Sequence, residues 1–194
     1  MNTDAIVAHI RDGERVVRSL RAQAPTVLRM GNELVRVLRR GGRIFTAGNG
    51  GSAAEAMHMA EELVGRFRSN RRPLPGIALV ADATALTCIA NDFGFEAIVS
   101  RQVTGLSRKG DALVLFSTSG NSPNLLAAMD AAARAGVRTV CLLGKGGGKM
   151  APQADLELTV RSTSTARIQE AHQLVMHMLL EIIEDALGEP PART

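Results

Sequence analysis

The feature that most constrains the fold is a glycine-rich turn between a short apolar run and an amphipathic segment. The turn reads Gly-Asn-Gly-Gly-Ser over residues 48–52, and a helix is predicted over 52–66. Ser52 and Glu55 have the spacing of a capping box, which predicts that Ser52 is the N-cap. Backbone N–H groups and the helix dipole at such a helix start favour an anion such as phosphate. His58 and Glu62 follow four residues apart, so they share one face of this helix.

Short apolar runs alternate with helical segments over the rest of the chain. Strands are predicted at 43–47, 77–81, 112–116, 138–143 and 156–160, and helices at 52–66, 83–90, 96–106, 123–135 and 165–187. This alternation predicts βαβ units and therefore an α/β fold with a parallel sheet. Two amphipathic helices precede the first strand. We predict one domain over 1–194, comprising a helical pair (1–40), an α/β core (43–187) and a frayed tail (188–194).

Composition and charge narrow the class of protein. No apolar run approaches the roughly 20 residues of a membrane span, so we expect no membrane contact and a cytoplasmic location. Cys88 and Cys141 lie in apolar patterns and are predicted to be buried free thiols. The net charge is only +4, and no broad basic face or stacking aromatic residues indicate nucleic acid as a partner. The densest basic cluster, within 66–72, is predicted to be a solvated loop, with an anionic substrate or a subunit contact as the alternative.

Three loops with polar side chains are expected beyond the carboxyl ends of the strands, where open parallel sheets bind ligands. They are residues 48–52, residues 90–94 with Asn91 and Asp92, and residues 117–122 with Ser117, Thr118, Ser119 and Ser122. In the third loop, Ser122 is predicted to be the N-cap of a helix whose first residue is Pro123. Four hydroxyls exceed what a cap needs and predict a phosphate site, with a simple polar turn as the alternative.

The turn at 48–52 has a rival interpretation. Gly48, Gly50 and Ala53 match a dinucleotide fingerprint, and Asp82 could be the acidic residue after the next strand. A dinucleotide would explain neither the hydroxyl loop nor the His58–Glu62 face. The pattern therefore favours a phosphate ligand without excluding a dinucleotide.

The last predicted helix adds a second set of polar side chains. Gln169 and His177 lie two turns apart in it, with Gln173 between them. Together with His58 and Glu62, the side chains of Gln169 and His177 would offer the nitrogen and oxygen ligands that suit zinc or another divalent ion. His172 points elsewhere and is interpreted as structural.

Taken together, these motifs resemble the phosphoheptose isomerase family of SIS-domain proteins. The resemblance rests on residues 48–52, 58–67, 91–94, 117–122, 147–150 and 166–172. It implies a flavodoxin-like, three-layer fold with a five-stranded parallel sheet, a homotetramer with sites at subunit interfaces, and one bound Zn²⁺ per subunit. The implied metal ligands are His58, Glu62, Gln169 and His177. The implied sugar-phosphate contacts are Asn49, Gly50, Gly51, Ser52, Glu62, Asn91, Asp92, Ser117, Thr118, Ser119, Ser122 and Gln169. Ser164 stands at a position where many members of this family have an acidic residue, and this difference bears on substrate preference.

The family implies isomerisation of sedoheptulose 7-phosphate to D-glycero-D-manno-heptose 7-phosphate, the first step towards nucleotide-activated heptose. We expect Glu62 to be the base that forms an enediol and His177 to be the partner acid and base. Two non-catalytic alternatives share the fold: a protein that binds a replication initiator, and a sugar-phosphate sensor. The presence of both Glu62 and His177 favours the enzyme.

Overall fold

Five parallel strands form one sheet in the order β2-β1-β3-β4-β5. The structure, a computed structural model, describes residues 1–188. The strands are β1 (Ile44–Gly48), β2 (Gly76–Ala78), β3 (Ala112–Ser117), β4 (Arg138–Leu143) and β5 (Leu156–Thr159). The predicted α/β class and five-stranded parallel sheet are confirmed.

Seven α-helices surround the sheet within the described residues. They are α1 (Thr3–Ser19), α2 (Ala24–Arg39), α3 (Gly51–Val64), α4 (Ala83–Phe93), α5 (Ser100–Leu106), α6 (Pro123–Ala135) and α7 (Thr165–Leu187). Short 3₁₀ turns lie at Leu20–Gln23, Phe95–Ala97 and Ala151–Gln153. The two helices predicted before the first strand are α1 and α2. The tail predicted from residue 188 lies, beyond Gly188, outside the described residues.

Side chains of alternate strand residues bury two aliphatic cores, one on each face of the sheet. Ile44, Val114 and Leu142 face a core shared with α2, α3 and α7. Phe45 and Leu115 face a second core shared with α5 and α6. Because both faces are covered, the strands read as continuous apolar runs rather than as an alternating pattern. The three-layer arrangement fixes α3 and α7 on the same side of the sheet.

The two cysteines lie in different environments. Cys141 is buried in β4, and burial, followed by the charges of Glu157 and Asp155, raises the pKa of its thiol to about 12. Cys88 is exposed in α4, so the prediction that it is buried is wrong. The helix α4 buries none of its residues fully, because its apolar side chains are only half covered at one edge of the second core.

Within residues 1–188, none of the helices combines the length and the apolarity needed to cross a bilayer.

Candidate active site

The sheet topology places two of the predicted ligand loops side by side. Strands β1 and β3 are neighbours, but the chain leaves β1 towards β2 on the opposite side. Such a reversal of strand order opens a crevice at the carboxyl edge of the sheet. In the β1–β3 register Gly48 lies opposite Phe116, so the loops that begin there meet at this crevice.

A cavity of about 200 Å³ lies between these loops. Its lining residues are Asn49, Gly51, Ser52, Phe116, Ser117, Thr118, Ser119, Ser122, Thr165 and Gln169. Eight of these ten residues belong to the predicted sugar-phosphate contacts, and only Phe116 and Thr165 were not predicted. Gly50 lies next to the cavity as the N-cap of α3.

The hydroxyl loop after β3 is ordered by its own side chains. The Ser117 hydroxyl accepts a hydrogen bond from the Gly120 N–H at 3.0 Å, and the Ser119 hydroxyl accepts one from the Asn121 N–H at 3.2 Å. Because both hydroxyls act as acceptors here, each keeps its hydrogen for a ligand. The loop can therefore donate several O–H bonds to a phosphate without a lysine. Ser122 and Pro123 stand at the predicted N-cap and first helical position, although the Ser122 side chain makes no capping bond.

A second loop, after β4, packs against the hydroxyl loop at residues 120 and 121. Gly120 has a left-handed φ of +63°, and a Cβ atom there would lie 2.0 Å from the Gly147 carbonyl oxygen. The Met150 N–H donates to the Gly120 carbonyl at 3.0 Å, and the Lys149 N–H donates to the Asn121 side chain at 3.0 Å. Glycine is therefore required at 120, because only it allows both the turn and the close approach.

The start of α3 differs from the predicted capping box. The helix begins at Gly51, and its N-cap is Gly50, with a φ of +56°. Ser52 makes no capping bond and lies buried in the first turn. Glu55 turns inward instead of back to the N-cap, and its carboxylate lies 3.8 Å from Nδ1 of the buried His172. The capping-box prediction is wrong because a glycine N-cap starts the helix one residue earlier.

An amide pair ties the two ligand loops together. Asn49 and Asn124 exchange two side-chain hydrogen bonds of 2.8 Å each. Asn124 is almost fully buried in the first turn of α6. Asn124 is not predicted from the sequence, because nothing in the local pattern shows that an asparagine 75 residues from Asn49 completes its hydrogen bonds.

Three of the predicted acid–base and metal residues, His58, Glu62 and His177, lie together where α3 packs against α7. His58 Nε2 lies 3.2 Å from Glu62 Oε1, and the ligand atoms of His58, Glu61 and Glu62 all lie within 4.8 Å of one another. The His58 and His177 rings meet edge to face, with centroids 5.3 Å apart. The Phe67 ring stacks on the His177 ring, with centroids 5.4 Å apart. Gln169 lies at the cavity end of α7 against Gly51, since a Cβ at Gly51 would fall 2.2 Å from its Nε2.

A buried ion pair fixes the end of α3 against α7. The Glu184 carboxylate accepts hydrogen bonds from the backbone N–H groups of 67–69 and from Arg71 Nε. The Arg71 guanidinium donates to the carbonyls of Leu63 and Glu62 at 2.9 and 2.7 Å. Burial raises the pKa of Glu184, but the three N–H groups and the Arg71 charge outweigh it and hold the pKa below its ordinary value. For Arg71 the prediction of a solvated loop is wrong, because its side chain is only 1% exposed.

Two of the predicted substrate residues lie elsewhere. Asn91 and Asp92 belong to the last turn of α4, which ends at Gly94 with a φ of +84°, and not to a loop. Both are exposed, and neither lines the 200 Å³ cavity of this chain. Asp82 caps the start of α4 by accepting from the Thr84 and Ala85 N–H groups. This capping role accounts for Asp82 without a dinucleotide.

The segment before α7 borders a different cavity. Ser164 takes the N-cap position of α7 and lines a cavity of about 820 Å³ between α1 and residues 159–164. None of the predicted site residues lines it.

Both the sequence and the fold of the chain are similar to those of known proteins. The family model for the SIS domain matches residues 8–144. A phosphoheptose isomerase from Desulfovibrio desulfuricans is 48% identical over 187 residues, which cover 96% of this chain and 89% of that protein.

Solved structures agree with the sequence comparison. A phosphoheptose isomerase from Neisseria gonorrhoeae superimposes with a TM-score of 0.89 at 36% identity, covering 94% of this chain and 98% of that chain. One from Francisella tularensis has a TM-score of 0.89 at 32% identity, covering 95% of this chain and 100% of that chain. The chain therefore belongs to the SIS-domain family and, within it, to the phosphoheptose isomerases.

Proposed function

We propose that the protein is an aldose–ketose isomerase that converts sedoheptulose 7-phosphate into D-glycero-D-manno-heptose 7-phosphate. The observation that supports this proposal most directly is that the hydroxyl-lined cavity and the acid–base cluster lie along the same two helices. Gly51 meets Gln169 at one end, and His58 meets His177 further along. The helices α3 and α7 thus run side by side in the same direction. An extended sugar with its phosphate in the pocket would point its other end at the cluster.

Binding of the phosphate supplies the orientation for the reaction. The hydroxyls of Ser117, Thr118, Ser119 and Ser122, with Ser52 and the backbone at Gly50 and Gly51, would surround the phosphate oxygens. Asn49 and Gln169 offer amide groups to the sugar hydroxyls. Since the phosphate does not react, its binding energy serves to hold the reacting carbons in place.

The chemistry needs one base for carbon and one acid for oxygen. Glu62 would take the proton from the carbon that carries the hydroxyl, which gives an enediol, and, after exchange with solvent, would deliver a proton to the neighbouring carbon. His177 would move the proton between the two oxygens. Only 16% of the Glu62 side chain is exposed, so few water molecules can take the place of the substrate at its carboxylate. A positioned acid or base typically contributes about 10²–10⁴-fold to the rate.

The donor set of the cluster fits a zinc ion. Two imidazoles and a carboxylate are ligands that Zn²⁺ prefers, and the ligand atoms of His58 and Glu62 already lie 3.2 Å apart. We propose one Zn²⁺ per subunit, held by His58, Glu62, Gln169 and His177. When bound, the ion would polarise the carbonyl oxygen of the sugar.

A homotetramer with sites at subunit interfaces completes the proposal. Asn91 and Asp92 would reach the pocket of a neighbouring subunit, because they are exposed beside two exposed aromatic residues, Phe93 and Phe95. Further exposed apolar side chains, including Ile6 and Ile10, line α1. A solution mass of one chain by light scattering would refute this assembly. The cytoplasmic location expected from the sequence stays a prediction.

Turnover of sedoheptulose 7-phosphate in D₂O tests the function. We expect heptose 7-phosphate to form and the carbon that gains a proton to carry deuterium, because the enediol route exchanges the proton on Glu62 with solvent. An initiator-binding protein or a sugar-phosphate sensor would bind its partner or the sugar phosphate without turnover. Lack of product from the folded protein would overturn the enzyme proposal and favour one of these two.

A further inference from the structure

The large cavity between α1 and the segment after β5 takes no part in the proposed reaction. Its volume is about 820 Å³, and its lining contains three cations, Arg15, Lys145 and Arg161, against one carboxylate, Asp12. Asp12 already pairs with Arg15. Within residues 1–188, Lys145 and Arg161 form no ion pair. The cavity therefore has an excess of positive charge that the described part of the chain does not neutralise.

Hydrogen bonds hold together the three elements that carry these cations. The Lys145 N–H donates to the Ser162 carbonyl at 3.3 Å, which ties the loop after β4 to the segment after β5. The Arg167 guanidinium donates to the His9 carbonyl at 2.8 Å, which ties α1 to the first turn of α7. The three cations thus come from one helix and two loops that the fold keeps in fixed positions.

Lys145 has a backbone conformation that favours glycine. Its φ is +48°, and among the residues that the structure describes it is the one residue other than glycine with a positive φ. Three glycines with positive φ follow it at 146–148. A side chain is strained in this conformation, and strained residues of this kind are concentrated at functional sites and ligand clamps. The position of Lys145 therefore indicates that its cation has a function in the cavity.

A hydroxyl group and apolar side chains complete the lining. The Ser162 hydroxyl accepts a hydrogen bond from the Ser164 N–H at 3.1 Å, so it keeps its own hydrogen for a ligand. Val16 and Val160 are buried and line the cavity. None of the described lining residues is aromatic, so the cavity offers no ring on which a base could stack. Its polar groups suit phosphate, because lysine and arginine bind phosphate oxygens through charge-assisted hydrogen bonds.

We propose that this cavity binds an anion with two or more linked phosphate groups. The cavity is much larger than the hydroxyl-lined cavity of about 200 Å³, so it has room for more than one phosphate. Linked phosphates can contact cations on separate elements at the same time, which a single phosphate does less well. The site is separate from the proposed active site, because none of the residues proposed to contact the sugar phosphate lines it.

The cavity faces away from the apolar surface that we assign to subunit contacts. A helix advances by 3.6 residues per turn. This places the exposed Ile6 and Ile10 on the opposite side of α1 from Asp12 and Arg15, which line the cavity. A second copy of the chain seated on Ile6 and Ile10 would therefore leave the cavity open to its ligand.

Isothermal titration calorimetry with inorganic pyrophosphate tests the site in the full-length chain. The background variant is Ser119→Asp, which keeps an acceptor for the Asn121 N–H and puts a negative charge into the 200 Å³ cavity, so that anions are repelled there. We expect this variant to bind one pyrophosphate per chain, and inorganic phosphate more weakly. Lack of saturable pyrophosphate binding by both this variant and wild type would overturn the proposal.

The decisive variant combines Lys145→Gly with Arg161→Gln in the same background. Glycine adopts the positive φ at 145 without strain, so we expect the fold to be kept. We expect pyrophosphate to bind about 10–100-fold more weakly, because hydrogen bonds to charged groups are lost. The control combines Arg29→Gln with Arg40→Gln, which removes the same charge from two exposed arginines that do not line the cavity. Equal affinity of the two double variants would overturn the proposal.

Titration with ADP identifies the source of the linked phosphates. Binding of ADP no tighter than that of pyrophosphate would assign the free diphosphate as the ligand, and tighter binding would assign an organic diphosphate. Either result supports the site, provided that Lys145→Gly with Arg161→Gln weakens it. Calorimetry does not depend on turnover, so pyrophosphate binding by a wild-type protein that forms no heptose 7-phosphate would uphold this site and reject the isomerase.

Discussion

Replacement of Glu62 by glutamine is expected to lower the turnover of sedoheptulose 7-phosphate by about 10²–10⁴-fold. The amide keeps the shape and can still accept the hydrogen bond from His58, but it cannot remove a proton from carbon. Because the hydroxyl loop that would bind the phosphate is untouched, we expect kcat to fall by a much larger factor than KM rises. Steady-state kinetics with direct detection of heptose 7-phosphate measures both.

The matched control for this prediction is Glu181→Gln. Glu181 lies in α7 with 45% of its side chain exposed and pairs with Arg68 on the surface. It has no part in the proposed chemistry, so Glu181→Gln is expected to keep the wild-type kcat. A near-normal kcat for Glu62→Gln would show that another group is the base.

Replacement of Glu184 by alanine is expected to lower the free energy of unfolding by a large amount. The change leaves the Arg71 guanidinium buried without its carboxylate, with the side chains of Arg71 and Glu184 only 1% and 5% exposed. Three backbone N–H groups of 67–69 lose their acceptor as well. Loss of one partner of a buried ion pair typically costs about 3–5 kcal/mol. For a chain of this size that lowers Tm by about 6–20 °C.

Glu181→Ala is the control for stability, because its ion pair with Arg68 is exposed and is expected to contribute about 0–1 kcal/mol. Thermal unfolding followed by circular dichroism compares the two variants. A Tm for Glu184→Ala within 2 °C of that of Glu181→Ala, about the effect of 1 kcal/mol in a chain of this size, would contradict the account of the buried pair.

The stability from Glu184 is also expected to depend on pH. Since its pKa is held below the ordinary value of 4.5, the folded state favours the charged form. The contribution is therefore complete above pH 4.5 and is lost as the pH falls through the lower, folded-state pKa. We expect the Tm difference between wild type and Glu184→Ala to shrink over that acidic range.

The bounds of an element are predicted correctly from the sequence where the residues at its two ends have strong local preferences. The bounds predicted for α6 agree with the structure because Pro123 fixes its start and Gly136, with a φ of +68°, fixes its end. The hydroxyl loop between β3 and α6 is likewise a local pattern, and its residues line the cavity, while its role as a phosphate site stays a prediction. In contrast, α4 continues past the predicted end at residue 90 to Phe93, which carries Asn91 and Asp92 out of the predicted loop.

The contacts that hold the site together depend on residues far apart in the chain. Arg71 and Glu184 are separated by 113 residues, and Gln173 and His58 by 115. No periodicity or spacing joins such pairs, so an arginine in a basic run reads as a surface residue. The same holds for Glu55, whose spacing from Ser52 suggests a cap while its carboxylate faces the buried His172. Tertiary packing overrides the local pattern at each of these positions.

The central claim is that the protein isomerises a sugar phosphate at an acid–base site that needs a metal ion. The most direct test is to measure turnover of sedoheptulose 7-phosphate before chelation, after chelation and after return of zinc. We predict that heptose 7-phosphate formation is lost on chelation and restored by zinc, with the protein folded throughout. Full turnover by the chelated protein would contradict the role of the metal and leave Glu62 and His177 as the whole of the catalytic machinery.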